Sequence, residues 1–450
     1  DSNVDELFEV HRSILEPLER SVSWERGGAG DRIKVRPESL RELARSAFSE
    51  RFPAAELVAG DLAAVRLQLA SLLAAKSTLN SPDQCLRFFN VISAAGDTLR
   101  RLAGGASDGA FGEFLVKTRA IACGTCVGIG SSAFKLADKI FDWVIVDEAA
   151  RCTPTELAVA IQSGRRVVLV GDHLQLPPFI GPEVKAALQK ILSAKDVSAW
   201  CTSDFETMFD SSEAGRAHCA SLRDQYRMIE PISRVVSDLA YDGELECKRS
   251  DPPPWVTRLP GIGQSAVTLI DTNCFGPTES QKKNSTSFRN LKEADWIVEW
   301  LKAVIADREA FDALVKATTE GDQAAVGVIC AYADQVDLLR ERIYDAGIEE
   351  ACASFLKTGT VDSYQGRENV VVIVSLVRSN SSRSIGHVHL FQRINVALSR
   401  ARDRLVVVGD SAMWMDTANA GFLAGKAWKY VHDRVDGVAY RLVAANEGAV

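Results

Sequence analysis

Long apolar runs are missing from this sequence: nothing in its 450 residues approaches the roughly 18 consecutive apolar residues of a membrane-spanning helix. The longest such stretch, near Asn369–Val377, suits a buried strand. Clustered cysteines are missing too. Ten are scattered singly, only Cys123 and Cys126 share a Cys-x-x-Cys spacing, and no second pair completes a zinc site. That usage reads as reduced, buried thiols of an intracellular protein. A basic excess is also lacking, since 52 Lys and Arg against 60 Asp and Glu leave a net charge of −8. Such a balance does not advertise a nucleic-acid binder, although an enzyme can confine its basic groups to one groove. There is no short-period repeat and no low-complexity tract. Residue 1 is Asp rather than Met, so the lack of a secretory signal says little.

What is present is ordinary in bulk and informative in pattern. With 46% hydrophobic and 25% charged residues the chain is globular, and its length calls for about two or three domains. Short apolar runs ending in polar turns alternate with longer helical stretches, the pattern of a parallel sheet covered by helices. The clearest strands are Trp143–Val146, Val167–Val170, Ala325–Cys330, Val370–Leu376 and Leu405–Val408. Between Ala54 and Leu102, Leu57, Leu62, Val65, Leu67, Leu69, Leu72 and Leu73 recur at helical spacing, and a second helix follows Pro82. No strand interrupts them, so a helical insertion within the first α/β domain is expected at about residues 25–115. Loops are expected at Gly104–Gly112, Asn273–Asn290 and Ser379–His389, and Asn290-x-x-Glu293 looks like a helix-capping arrangement.

The strongest local signal is FDWVIVDEAA, in which an apolar strand delivers Asp147 and Glu148 to its carboxyl end. Ligand crevices of open α/β sheets lie at those ends. Nucleotide hydrolysis needs one carboxylate to hold hydrated magnesium and one to orient or deprotonate the attacking water. The pair alone would fit a solvated turn equally well. The next strand changes that balance, because RRVVLVGDHLQLPP sets Gly171, Asp172 and Gln175 at a similar edge. A neutral amide there can sense a terminal phosphate without adding negative charge. Three further segments follow: LRDQYRM with Gln225, Tyr226 and Arg227; TVDSYQGRENVVVIVSL with Gln365, Gly366 and Glu368; and RINVALSRARDRLVVVGD with Arg400 and Arg402. Arginine suits a phosphoryl transition state, its planar fork meeting the spreading negative charge.

In that order DEAA, GDHLQLPP, QYRM, VDSYQGRE and NVALSRAR resemble motifs II to VI of superfamily 1 helicases. The group it resembles contains the nonsense-mediated-decay helicase, senataxin and the immunoglobulin mu-binding helicase. The likeness runs continuously from Leu115 to Asp410, through TSFRNLKEA and VGVICAYADQ. Upstream, RAIACGTCVGIG resembles the segment carrying a nucleic-acid-touching Thr, and SNVDEL a shortened motif Ia. The resemblance implies two RecA-like parallel-sheet motor domains, at residues 1–220 and 221–450, that close around ATP and magnesium and grip single-stranded RNA or DNA. It implies a monomeric motor moving 5′ to 3′ in the cytoplasm or nucleus, with no membrane association. By the same resemblance Asp147 holds magnesium and Glu148 activates water. Gln175 contacts the terminal phosphate, and Arg227 and Arg400 are arginine fingers. Tyr226 stacks on the base, Gly366 and Glu368 lie near nucleotide and ribose, and Ser2, Asn3 and Thr125 touch nucleic acid.

The chain departs from the group's pattern at Leu174, Ala331 and Ile229-Glu230, none of which removes a charged catalytic group. A larger departure is the lack of any Gly-x-x-x-x-Gly-Lys-Ser/Thr, the backbone cradle and lysine for the β- and γ-phosphates. The glycines near Gly27 and Gly104 have no following Gly-Lys and read as loops. The expectation is a first domain without its P-loop strand, the chain starting after that motif, and little ATP turnover by residues 1–450 alone. The alternative is a retired helicase-like module that binds nucleic acid or a protein without turnover.

Overall fold

The computed structural model describes residues 6–7, 9–19, 37–58, 61–76, 81–103, 120–129, 140–193, 196–197, 201–210, 218–321, 323–364 and 366–447. The chain forms two compact units, residues 1–146 with 155–168, and residues 147–154 with 169–450.

In the first unit helices form at Pro37–Arg51 (α1), Leu62–Lys76 (α2) and Pro82–Ala103 (α3), the last two in the stretch that the sequence marks as helical. Their apolar positions close one core of Ile14, Leu15, Phe48, Phe52, Val65, Leu69, Leu73 and Phe89. A polar chain crosses that helical packing: Arg66 donates to Glu19 at 2.7 Å, Ser93 donates to the same carboxylate at 2.5 Å, and His11 lies 3.3 Å from the Ser93 hydroxyl. Burying these groups is tolerable because each has a partner. The expected strands appear as Phe141–Val146 (β1) and Gly164–Leu169 (β2), which pair with each other. Among the described residues no third strand joins them.

The second unit is built on six parallel strands: Val267–Asp271 (β3), Val326–Cys330 (β4), Leu356–Thr360 (β5), Asn369–Ser375 (β6), Ala401–Gly409 (β7) and Tyr440–Ala444 (β8). Their order across the sheet is β8-β3-β7-β6-β4-β5, with Val372 opposite Leu405 on β7 and Gly327 on β4. The α/β expectation therefore holds. Alternation along the strands explains why helices cover both faces. Leu405, Val407, Val372 and Val374 point into one core with Ile232, Val235, Ile394, Trp414 and Trp428. Val406, Val408, Val371 and Ile373 point into the other with Trp296, Trp300, Val336 and Leu339.

Helices of this unit include Glu230–Ala240 (α4), Leu291–Ala306 (α5), Ala333–Asp345 (α6) and Phe391–Leu398 (α7). Asn290 caps α5, its side-chain oxygen accepting from the N–H of Lys292 and of Glu293. Glu293 does not reach the Asn290 backbone N–H, but it accepts from the Asn290 side-chain Nδ2 at 3.3 Å. Gln335 of α6 takes the Asn290 N–H at 2.7 Å, and Glu293 turns into the protein.

Candidate nucleotide-hydrolysis site

Asp147 and Glu148 follow β1 directly, both exposed, and Asp147 accepts from the Glu148 N–H at 2.9 Å. Glu148 adopts a left-handed backbone, φ 55°, which turns the chain sharply at the strand end. For a residue with a Cβ that conformation costs of order 1 kcal/mol or more, and such strain collects at functional sites. The turn is tied down by the Ala149 N–H, which donates to Val170 at 2.8 Å. Gly171 follows at the same place, where a Cβ would stand 2.8 Å from the Ala150 nitrogen. The glycine thus lets the two strand ends approach.

Asp172 is the hub of the second segment. Its Oδ1 accepts from the Leu174 N–H at 2.9 Å, and its Oδ2 from Gln175 Nε2 at 2.8 Å and from the Tyr241 hydroxyl at 2.6 Å. The Gln175 amide is therefore oriented: its nitrogen faces Asp172, and its oxygen accepts from Arg400 Nη2 at 2.9 Å. Arg400 is 2% exposed and donates further to the Val396 carbonyl, the Arg367 carbonyl and the Ser399 hydroxyl. Burial pushes the Arg400 guanidinium down to about 10, the neighbouring Arg227 charge adding to the fall while Glu148 opposes it. It remains a cation at neutral pH.

Arg227 donates to Glu368 at 2.7 Å and to the Ser399 carbonyl at 3.2 Å, while Arg402 stands 3.7 Å from the other Glu368 oxygen. Glu368, expected near the ribose, is thus engaged by two arginines. Arg249 steadies the Arg227 backbone by donating to its carbonyl at 2.5 Å and pairs with buried Asp403 at 2.7 Å. Beside it Tyr226 presents a ring that is 71% exposed. Gly366 is exposed with a φ of +73°, a value suited to glycine.

Of the sequence-derived residues, Asp147, Glu148, Gln175, Arg227, Arg400 and Glu368 lie within one unit, where Gln175 bonds Arg400 and Arg227 bonds Glu368. Exposed Thr125 lies in the other unit, where its hydroxyl accepts from the Gly128 N–H at 3.0 Å. Ser2 and Asn3 lie outside the described residues. Sequence reading missed Tyr241 and Asn395. Asn395 had a signal, as the first residue of NVALSRAR and an amide among apolar neighbours; Tyr241 had none.

No cluster of three or more His, Cys, Asp or Glu among the described residues could hold a metal on protein ligands alone. An exposed strand-end Asp-Glu pair fits magnesium, which keeps several waters and takes phosphate oxygens. No helix among the described residues is long and apolar enough to cross a membrane.

Two AAA-domain families match the chain, one over residues 92–182 and another over residues 201–412. The "DNA-binding protein SMUBP-2" of Rattus norvegicus is 33% identical over 281 residues, covering 61% of this chain and 25% of that protein. The human "DNA replication ATP-dependent helicase/nuclease DNA2" is 28% identical over 325 residues, covering 66% and 27%. The chain thus spans about a quarter of the length of these relatives. The crystal structure of arterivirus nonstructural protein 10 (helicase) is similar at 17% identity and a TM-score of 0.27, covering 59% of this chain and 38% of that one.

Proposed function

The chain belongs to the superfamily 1 helicases, and from that premise we propose that it drives an ATP-dependent helicase or translocase moving 5′ to 3′ on single-stranded RNA or DNA. The observation that supports this reading best is the convergence of Gln175 and Arg400 at 2.9 Å, with Arg227 and Glu148 close enough to shift the Arg400 titration. A sensor amide, a buried cation and a strand-end carboxylate are the groups that phosphoryl transfer to water requires.

Asp147 would hold magnesium, which neutralises phosphate charge when bound. Glu148 would take the proton of the attacking water, Gln175 would meet the terminal phosphate, and Arg400 and Arg227 would stabilise the charge that spreads in the transition state. Tyr226 would stack on the base, with Gly366 and Glu368 near the sugar. Thr125, Ser2 and Asn3 would contact the strand. The motor domains would divide at residue 220, with the helical insertion at 25–115.

One observation favours the second reading, a module without turnover: no Gly-x-x-x-x-Gly-Lys-Ser/Thr stands in the sequence. Steady-state ATPase assays of the full-length protein separate the two. Strand-stimulated turnover is expected, with Glu148→Gln lowering kcat by about 10²-fold or more while ATP still binds. Arg400→Ala should cost about 10³-fold. A full-length protein that binds strands but never hydrolyses ATP establishes the second reading. An Arg400→Ala rate within a few-fold of the parent removes Arg400 from the site.

A further inference from the structure

Tyr241 lies within the stretch of family resemblance but in none of its motifs, and it reaches the centre of the site. It is the C-cap of α4, the helix that begins three residues after Arg227. Its hydroxyl donates to Asp172 at 2.6 Å and accepts from Asn395 Nδ2 at 3.0 Å. Asn395 sits on α7, five residues before Arg400, and its amide nitrogen also donates to the Leu174 carbonyl at 2.9 Å. Three segments, one leading from each candidate arginine and one carrying the sensor amide, therefore meet at a single phenol.

We propose that Tyr241, held by Asn395, is a positioning residue that fixes Asp172 and through it aims the Gln175 amide relative to Arg400. The inference rests on the ATP-hydrolysis reading above. The chemistry of each group is suited to the part. Gln175 can rotate its amide by half a turn at little cost unless a neighbour tells oxygen from nitrogen. Asp172 does so by accepting only, and the phenol keeps Asp172 in place with a charge-assisted bond. Burial, with the Asp172 charge adding to it, holds the Tyr241 phenol well above its usual range, so it remains a donor at any working pH.

Asn395 is 1% exposed, and its Oδ1 is buried with no hydrogen-bond partner among the described residues. A buried orphan carbonyl is costly. The residue is explained by its other end: a neutral amide supplies two N–H donors, and here both are used, on Leu174 and Tyr241. A leucine of similar size would fill the space and leave both acceptors bare.

The test is Tyr241→Phe in the full-length protein, alone and combined with Gln175→Ala. Phenylalanine keeps the ring and removes one hydroxyl, so the thermal midpoint should stay within a few degrees. Expected is a fall in kcat of about 10-fold, the effect of one lost charge-assisted bond, with the KM for ATP unchanged. In the Gln175→Ala background the same substitution should have no further effect, because the group it aims is gone. An unchanged kcat in Tyr241→Phe overturns the proposal. So does an equal loss in both backgrounds, which marks a purely structural role. Absence of turnover in the parent protein would instead remove the hydrolysis reading, and this role with it.

Discussion

Glu293, expected as half of a capping arrangement, is completely buried and accepts from the Ser375 hydroxyl at 2.6 Å and the Val377 N–H at 3.0 Å. Burial pushes its carboxyl up to about 8 despite these donors, and the nearby charges of Asp410 and Glu279 act in the same direction. The folded state therefore binds this proton more tightly than the unfolded chain does. Its contribution to stability is full below the unfolded value of about 4.3 and is lost as pH rises toward about 8. Denaturant titrations should show stability falling by up to about 1.4 kcal/mol per pH unit across that window. Glu293→Gln should flatten this slope; an unchanged slope would mean that Glu293 is already ionised at neutral pH.

Elements explain why the site's parts meet. β1 and β2 end side by side, and the Ala149–Val170 bond joins the turns that follow them. That approach depends on Gly171. Gly171→Ala would drive a Cβ against the Ala150 nitrogen, a backbone atom that cannot swing aside as a side chain can. A loss of about 1–3 kcal/mol is expected, read as a lowered urea midpoint. A neutral result would show that the two turns can separate freely. Helices act in the same way at longer range, since α4 carries Tyr241 and α7 carries Asn395 to the one Asp172. Five strands were legible because short Val- and Ile-rich runs mark strands; β4, β6 and β7 are buried on both faces, whereas β1 and β2 leave Trp143, Ile145, Val167 and Val168 exposed. β5 and β8 were not legible: LKTGT and YRLVA are the edge strands of the sheet and carry polar residues. β3, VTLID, lies inside the sheet but is short and broken by buried Thr268.

At the scale of the whole molecule the charge balance is the property to test. A chain of net charge −8 repels a polyanion on average. Strand binding, if it is to occur, must come from local arrays of Lys and Arg, aided by stacking on exposed rings such as Tyr226. Affinity for a single-stranded oligonucleotide should then fall steeply with salt and vary little with base sequence. A site neutralising about six phosphates would weaken by roughly 10³-fold between about 50 and 200 mM salt. Binding that ignores salt, or that needs one particular duplex sequence, would contradict a strand-tracking motor.

By itself the sequence determined the α/β class, the helical stretch ahead of it, and which strand ends carry acids, amides and arginines. Those features are local: a carboxylate that directly follows an apolar run lies at a strand end wherever that strand packs. Tertiary structure alone decided that Gln175 and Arg400, 225 residues apart, share a hydrogen bond, and that Tyr241 and Asn395 meet at the site. It also decided that Glu293 faces inward, that Glu368 is held by arginines, and that Asn395 keeps one bare carbonyl oxygen. A polar side chain's partners depend on which distant segment packs over it. Burial then turns a group that water would satisfy anywhere into one that only a particular neighbour can satisfy.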